Sequence, residues 1–270
     1  MSSRRGSHNI VKNGWVTDQH GSWAMGFMPL LIGLWFAPQF TWLHLMLFGA
    51  WTSGFFFFAV AEKWLKYRFK PRYQPALITY GSISAVFCII LLIGAPHLLW
   101  WGLLYAPLIL ISFYLSWAKK ERSLLARLDA IAAACLVLPV ALSVSVPQPW
   151  FSPGAISLHG WYLCALLATY FSSTVPFVKT VIRERKSTGW FIGSIATHVV
   201  IIVVMAVLAA RGYLYWLHVA VWVVLLVRAI AMPVWAKKRG VPWKPRNIGV
   251  PEIGYSILVF VTLPYGISVP

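Results

Sequence analysis

The chain has 270 residues, of which 60% are hydrophobic and 11% are charged. A water-soluble domain of this length is about one quarter charged, so the composition excludes an ordinary soluble protein. The formal net charge of +17 would suggest nucleic-acid binding in a soluble chain, but the distribution of the basic residues points instead to membrane topology.

Apolar runs of membrane-spanning length recur along the whole sequence. A transmembrane helix needs about 20 consecutive apolar residues, because its backbone must satisfy its own hydrogen bonds in hydrocarbon. We place such runs at 23–37, 42–61, 76–95, 98–117, 128–146, 156–178, 190–210, 213–236 and 250–269. The predicted fold is therefore all-α, a polytopic membrane helical bundle of about nine transmembrane helices. We expect a cytoplasmic N-terminal tail over 1–20 and a single transmembrane domain over 21–270.

Basic residues mark every second connection between these runs. They cluster in the N-terminal tail, 63–72, 119–127, 179–186 and 228–246, which together hold 22 of the 23 Lys and Arg. Cytoplasmic loops are enriched in Lys and Arg. This rule predicts a multi-pass protein of the cytoplasmic (inner) membrane, with its N-terminus inside and its C-terminus outside. It also accounts for the basic charge without nucleic acid as a partner.

The first polar features in chain order lie at the predicted cytoplasmic ends of the first two runs. Asp18 either caps the first helix or forms, with His20, a polar site at the cytoplasmic mouth. Glu62 and Lys66 are four residues apart, so we expect them to pair on one helix surface.

The basic loop that follows has two interpretations. Arg68 and Arg72 lie in it, where they either face anionic lipid or contribute to a clamp that holds a phosphate group.

Four ionisable residues lie where apolar sequence makes charge costly: Asp129, His198, Arg228 and Glu252. Asp129 begins the fifth run, and we expect it to pair with Arg127 or to face a polar cavity. Arg228 lies well inside the eighth run, where Asp129 or Glu252 would be its partner. His198, inside the seventh run, is predicted to face the bundle, as a hydrogen-bonding group between helices or as a proton carrier.

The most charged stretch, 174–190, connects the sixth and seventh runs. It contains Lys179, Arg183, Glu184, Arg185 and Lys186. If the stretch is helical, Lys179, Arg183 and Lys186 share one face. Such a stripe can bind lipid phosphate or a diphosphate, or it can simply mark the cytoplasmic side.

Metal-binding motifs are not evident in the sequence. Cys88, Cys135 and Cys164 lie singly inside apolar runs, so we interpret them as small apolar residues. Four histidines are predicted at the outer side, where they are ordinary interface residues or, as the alternative, ligands of haem or a metal shared between helices: His44, His97, His159 and His218.

Several segments resemble the YwiC-like family of membrane proteins. The resemblance rests on WVTDQHGSWAMGFMPLLIG near the N-terminus, YFSSTVPFVKTVIRERK followed by His198, ERSLLARLD, RAIAMP and IGVPEIG. It covers nearly the whole chain.

The helix count and loop pattern also resemble the UbiA superfamily of intramembrane prenyltransferases. That resemblance implies nine helices around a central cavity, with Asp-rich, Mg²⁺-binding motifs after the second and sixth helices. The matching loops here, 62–75 and 179–189, hold one acid each, Glu62 and Glu184, which is a departure from the motif because Mg²⁺ needs several oxygen ligands.

The leading hypothesis is a UbiA-like protein that binds an isoprenoid or polyprenyl phosphate lipid at its cytoplasmic mouth, with prenyl or lipid-linked group transfer as the implied reaction. The expected phosphate-binding residues are Arg68, Arg72, Lys179, Arg183 and Arg185. Glu62 and Glu184 would orient them, and His20 and His198 would carry protons. The alternatives are a non-enzymatic accessory or assembly subunit of a respiratory membrane complex, and an anion transporter using Arg228, Asp129 and His198.

Overall fold

A computed structural model describes residues 12–16, 20–146, 158–241, 243 and 245–264. In these ranges the regular secondary structure is entirely helical, which confirms the all-α prediction. The α-helices are α1 His20–Trp35, α2 Trp42–Lys66, α3 Gln74–Gly94, α4 Trp101–Trp117, α5 Leu124–Cys135, α6 Val137–Ser143, α7 Leu158–Ile182, α8 Thr188–Ala210, α9 Trp216–Arg239 and α10 Pro245–Val261. Two 3₁₀ helices, Pro71–Tyr73 and Pro96–Trp100, lead into α3 and α4.

Seven helical segments of the described chain are long and apolar enough to cross a membrane. They are Trp42–Lys66, Pro71–Gly94, Pro96–Trp117, Leu124–Ser143, Leu158–Ile182, Thr188–Ala210 and Trp216–Arg239. The first and last predicted spans correspond to shorter apolar helices, Trp23–Trp35 and Asn247–Val261. With 16 and 17 residues, α1 and α10 extend about 24 and 26 Å, against a hydrocarbon thickness of about 30 Å. The chain is thus a multi-pass membrane protein, and the count of nine spans stays a prediction.

The distribution of polar and apolar side chains on α8 is the reverse of that in a soluble protein. Ser194 and His198 are fully buried on this helix. A row of aliphatic residues on the same helix is exposed: Val199, Val200, Val203, Val204 and Val207. Because lipid solvates apolar surface and cannot hydrogen-bond polar groups, this arrangement is that of a membrane helix.

Turn chemistry explains where several helices begin, break and end. The hydroxyl of Ser123 accepts a hydrogen bond from the amide of Ala126 at the start of α5, at 3.1 Å. The fifth predicted span divides into α5 and α6 at Leu136, three residues before Pro139, which has no N–H to continue the helical ladder.

In the described ranges, three non-glycine residues at helix ends adopt left-handed backbone conformations. Arg68 and Phe69 follow α2 with φ of 56° and 64°, and Lys119 follows α4 with φ of 57°. The amides of Phe69 and Lys120 donate to carbonyls five residues earlier, at 2.8 and 2.7 Å, which closes both helices with Schellman-type bonds. Gly240 takes the same role after α9 without side-chain strain, with φ of 66°.

The described residues form two compact units. Unit 1 takes its described residues from 1–19 and 29–160, and unit 2 takes them from 20–28 and 161–270. The single transmembrane domain that we expect over 21–270 stays a prediction.

Close helix contacts and histidine side chains hold unit 1 together. A Cβ added to Gly33 on α1 would lie 2.8 Å from the carbonyl oxygen of Leu138 on α6, so glycine permits these backbones to approach. The ring of His44 accepts from the amide of Thr41 at Nδ1 (3.0 Å) and donates from Nε2 to the carbonyl of Ala141 (3.2 Å). His97 donates to the carbonyl of Ser143 at 2.8 Å.

In unit 2 the buried His218 has both ring nitrogens hydrogen-bonded, as His44 has in unit 1. Trp222 donates to Nε2 of His218 at 3.1 Å, so Nδ1 carries the proton and donates to the hydroxyl of Thr262 at 2.9 Å. Thr262 in turn donates to the carbonyl of Leu258 at 2.8 Å. Three of the four histidines predicted at the outer side therefore connect helices through hydrogen bonds. The ring of the fourth, His159, packs edge-on against Phe36 within unit 1.

Candidate functional site

Polar side chains gather at one buried layer of unit 1, near the ends of α2 and α4 and the start of α5. Glu62 accepts a hydrogen bond from Ser116 at 3.0 Å, and Asp129 accepts one from Ser112 at 2.5 Å. Asp129 is 5% exposed, and its Oδ1 has no hydrogen-bond partner among the described residues. The buried carboxyl of Asp129 and the half-buried carboxyl of Glu62 are therefore both held by serine hydroxyls of α4.

The expected pairing of Glu62 with Lys66 is wrong, because the two side chains have other partners. Glu62 is directed inward to Ser116, while Lys66 donates to Glu121 at 2.5 Å, on the α4–α5 connection. Burial alone would raise the pKa of Glu121, but the hydrogen bond from Lys66 and the charges of Lys66 and Arg122 outweigh it and lower this pKa below its usual value. The i, i+4 rule describes isolated helices, and tertiary partners override it here.

The predicted basic residues of the same unit lie against aromatic rings. The guanidinium of Arg68 is 4.6 Å from the ring centroid of Trp117. Arg72 donates to the hydroxyl of Tyr73 at 2.6 Å and lies 4.7 Å from that ring. Both side chains are exposed, so they remain accessible to an anion at the membrane surface.

A network of buried polar side chains connects three helices of unit 2. Arg228 on α9, 4% exposed, forms an ion pair with Glu252 on α10. The hydroxyl of Tyr170 on α7 lies 3.3 Å from Oε2 of Glu252 and 3.1 Å from the hydroxyl of Ser256. Since Ser256 donates to the carbonyl of Glu252 at 2.8 Å, Tyr170 can donate to Ser256. Of the two partners expected for Arg228, the structure shows Glu252.

His198 is buried on α8, as the sequence predicts. Its Nδ1 lies 2.8 Å from the carbonyl of Ser194; a carbonyl can only accept, so Nδ1 carries the proton and the neutral ring has its lone pair at Nε2. Among the described residues, Nε2 of His198 and the hydroxyl of Ser194 have no hydrogen-bond partner. The ring packs edge-on near Trp222.

A basic hollow of about 700 Å³ lies at the ends of α7 and α9 in unit 2. Its charged lining is Arg183, Glu184, Arg185, Lys186 and Lys237. The rest of the wall is formed by Ser187 and by six other residues: Thr180, Val181, Pro233, Ala236, Gly240 and Val241. Four basic groups and one acid give this lining a formal charge of +3.

The helix end at this point determines which side chains line the hollow. α7 ends at Ile182, and the amide of Glu184 donates to the carbonyl of Lys179 at 2.7 Å. The stretch after Ile182 is therefore a turn, and the helical stripe of Lys179, Arg183 and Lys186 is wrong. Lys179 remains on α7, where its ammonium lies 4.1 Å from the ring centroid of Trp190.

The start of α8 adds to the positive character of the hollow. Ser187, which lines the hollow, is the N-cap residue of α8, and its hydroxyl accepts from the amide of Trp190 at 3.4 Å. The N-terminal end of a helix carries partial positive charge and free amide groups, so it favours an adjacent anion.

The structure thus brings together only part of the predicted site set. Arg183, Arg185 and Glu184 share the hollow, and Lys179 lies just outside its lining. Lys237 and Ser187 join them, although nothing in the sequence pattern distinguished them; Lys237 stands in a run of three basic residues that looks uniform in one dimension. Asp18 and the side chain of His20 lie outside the described residues.

The described residues contain no group of three or more His, Cys, Asp or Glu side chains that could hold a metal ion. The carboxylate in the hollow's described lining is Glu184. The chemistry available in the hollow is therefore charge-assisted hydrogen bonding to an anion from several Arg and Lys side chains.

Comparison with known proteins agrees with the resemblance seen in the sequence. The profile of the family described as YwiC-like protein matches residues 16–142. The uncharacterized protein YwiC of Bacillus subtilis (strain 168) is 29% identical over 241 residues, which cover 88% of this chain and 92% of the relative. An uncharacterized protein of Haemophilus influenzae is 23% identical over 248 residues, or 92% and 96% of the two chains.

No solved structure matches the chain, and the resemblance to the UbiA superfamily stays a prediction. The family profile covers α1 to α6 nearly in full, and the Bacillus relative aligns over most of both chains. This multi-pass membrane protein is therefore similar to the YwiC-like family over residues 16–142 and to the Bacillus relative over most of its length.

Proposed function

We propose that this protein binds the phosphate headgroup of a membrane lipid in the basic hollow of unit 2, with an isoprenoid or polyprenyl phosphate as the expected lipid. The observation that carries the proposal is the convergence of Arg183, Arg185, Lys186 and Lys237 on one hollow. Guanidinium and ammonium groups bind phosphate through short, charge-assisted hydrogen bonds.

The wall of the hollow suits the junction between a headgroup and its hydrocarbon tail. Val181, Pro233, Ala236 and Val241 give it an apolar side. On the same helix α9, Ile230 and Val234 are exposed, which places apolar surface next to the hollow in the direction of the membrane core. A lipid whose phosphate is bound in the hollow would place its hydrocarbon tail along this surface.

The electrostatics of the hollow favour an anion over a neutral headgroup. The charged lining has a formal charge of +3 from four basic side chains and Glu184, and the positive end of the α8 dipole adds to it. Because the basic side chains are exposed, salt screens their interaction with an anion over a Debye length of about 8 Å at physiological ionic strength. Binding should therefore weaken as ionic strength rises.

Transfer of a prenyl or lipid-linked group would need more than this binding site. A reaction of that kind requires an acid or base at the phosphate, or several oxygen ligands for Mg²⁺. Glu184 supplies one carboxylate in the described lining. We therefore propose that the hollow recognises the headgroup. Transfer of a prenyl or lipid-linked group would become part of the proposal only if turnover is observed.

The test is equilibrium binding of a polyprenyl phosphate to the purified full chain in lipid nanodiscs, with phosphatidylglycerol as the competing anionic lipid. Lys237→Ala should weaken binding about tenfold, since a hydrogen bond to a charged group contributes about 1.5–3 kcal/mol. Lys238→Ala is the matched control, because Lys238 is its exposed neighbour outside the lining of the hollow.

A second matched pair tests the turn that follows α7. Arg183→Ala should weaken binding more than Lys70→Ala, since Lys70 is an exposed basic residue of unit 1. Equal losses in both pairs would reduce the hollow to a general basic surface. If the substitutions in the hollow weaken the binding of phosphatidylglycerol but not that of polyprenyl phosphate, the hollow is a site for anionic lipid and the isoprenoid is rejected.

A further inference from the structure

The guanidinium of Arg228 has one occupied and one unoccupied hydrogen-bonding edge. Its Nη1 donates to Oε1 of Glu252. Its Nε and Nη2 are buried and have no hydrogen-bond acceptor among the described residues. In a planar guanidinium the N–H bonds of Nε and Nη2 point the same way, so these two atoms form the side-on fork that Arg uses for bidentate binding.

Aromatic rings and a hydrogen-bonded carboxylate fix the orientation of this fork. The centre of the guanidinium lies 4.0 Å from the ring centroid of Phe177 on α7 and 4.8 Å from that of Tyr255 on α10. Oε2 of Glu252 lies 3.3 Å from the hydroxyl of Tyr170. Each neighbour therefore restricts the rotation of Arg228, which leaves its free edge preorganised for an acceptor.

The charge balance of the network selects the kind of acceptor. Glu252 already neutralises Arg228. An anion at the free edge would bring a net negative charge into a low-dielectric layer, which is costly. A neutral oxygen acceptor would satisfy the two donors without that cost.

We propose that the free edge of Arg228 is a binding site for a neutral, membrane-soluble molecule that presents a carbonyl oxygen. The rings of Phe177 and Tyr255 lie against the same guanidinium, so its surroundings are apolar and suit such a ligand. The chemistry is shared by two sources, the ring carbonyl of a quinone and the ester carbonyl of a neutral glycerolipid.

This site is separate from the basic hollow and does not depend on the function proposed there. Arg228 and Lys237 are nine residues apart on α9, which corresponds to about 13 Å along the helix axis. Arg228 does not line the hollow. The two sites also select opposite ligands, since one lining is strongly cationic and the other is a neutral pair.

The substitution Arg228→Lys tests the fork specifically. Lysine keeps the positive charge and can still pair with Glu252, but it has no planar fork. The probes are decylbenzoquinone and dioctanoylglycerol, titrated separately into the purified full chain in detergent micelles, with bound mass measured by native mass spectrometry. We expect one probe to bind the wild type saturably at one molecule per chain, and Arg228→Lys to weaken it about tenfold or more.

Two further variants distinguish binding at the fork from misfolding and from binding in the hollow. Tyr255→Ala removes one flanking ring and leaves the guanidinium in place, so it should weaken the same probe and remains informative if Arg228→Lys fails to fold. The double variant Arg183→Ala/Arg185→Ala should leave probe binding unchanged, since it alters only the hollow.

The probe that binds identifies the source of the carbonyl. Failure of both probes to saturate the wild type overturns the proposal, and so does equal binding to the wild type and to Arg228→Lys. In either case the unpaired donors would belong to the fold and not to a binding site.

Discussion

Removing the charge of Glu252 should expose the energetic cost of a buried guanidinium. The side chain of Arg228 is 2% exposed and that of Glu252 is 13% exposed. Breaking a buried ion pair by removing one partner costs about 3–5 kcal/mol. Glu252→Gln keeps the shape and one acceptor oxygen, so a hydrogen bond from the charged guanidinium survives and offsets about 1.5–3 kcal/mol of this cost. We therefore expect Glu252→Gln to lower the free energy of unfolding by about 1–3 kcal/mol.

The assay is reversible unfolding of the purified protein in mixed micelles of increasing SDS fraction, followed by tryptophan fluorescence. Glu184→Gln is the matched control, because the same substitution on an exposed side chain should change the free energy of unfolding by less than about 0.5 kcal/mol. Arg228→Gln/Glu252→Gln should recover part of the loss, since neither charge is then left alone. Equal effects of Glu252→Gln and Glu184→Gln would refute the reasoning and would mean that water reaches Arg228.

Three more predictions use the same unfolding assay. Gly33→Ala should cost about 1–3 kcal/mol because its Cβ would lie 2.8 Å from a backbone oxygen, whereas Gly193→Ala, with open space around it, should be neutral or stabilising. Lys119→Gly should stabilise by about 1 kcal/mol, since φ is 57° at that position; a loss of stability would contradict the strain. Lys66→Met should cost about 1 kcal/mol at neutral pH. Folding lowers the pKa of Glu121, so the stabilisation from this pair is complete above the unfolded pKa and disappears as pH falls through the folded pKa. The difference in free energy of unfolding between wild type and Lys66→Met should therefore vanish in acid. A difference that persists in acid would reject the ion pair.

Most helices could be predicted from the sequence because they coincide with long apolar runs, but the ninth run, predicted at 250–269, is observed as α10 from Pro245 to Val261. The sixth run, predicted at 156–178, is observed as α7 from Leu158 to Ile182, and the seventh, predicted at 190–210, as α8 from Thr188 to Ala210. Periodicity was less informative than length, because membrane helices are apolar on most of their surface. The run at 128–146 shows the limit, since proline chemistry divides it at Leu136.

The partners of the charged residues could not be predicted, because they depend on which helices are neighbours. Sequence reasoning allowed Asp129 or Glu252 as the partner of Arg228, and only the contact of α9 with α10 decides between them. It paired Glu62 with Lys66 by helical spacing, whereas the observed donor to Glu62 is Ser116 of α4, as Ser112 is to Asp129. Ser112 and Ser116 gave a weak signal, a pair of hydroxyls four residues apart in an otherwise apolar helix.

The basic hollow illustrates a different limit, which is the exact end of a helix. A helical continuation beyond Ile182 would have spread Lys179, Arg183 and Lys186 along one face. The observed turn instead collects Arg183 and its neighbours against the end of α9, where Lys237 is available. Spacing rules for helical faces fail at such a turn, and the residues that line a terminal hollow follow from backbone hydrogen bonds that the sequence does not display.

The two polar regions of unit 2 differ in the cost of forming them, and this difference bears on function. The basic side chains of the hollow are exposed, so they form a site without a large desolvation penalty and without constraining the fold. Arg228, by contrast, lies within a helix long and apolar enough to span the membrane, where a buried charge is expensive even when paired. A leucine or methionine pair at positions 228 and 252 would pack as well in lipid. An ion pair with two further buried donors is therefore poorly explained by stability alone, and it is the free edge of Arg228 that gives the network a chemical use.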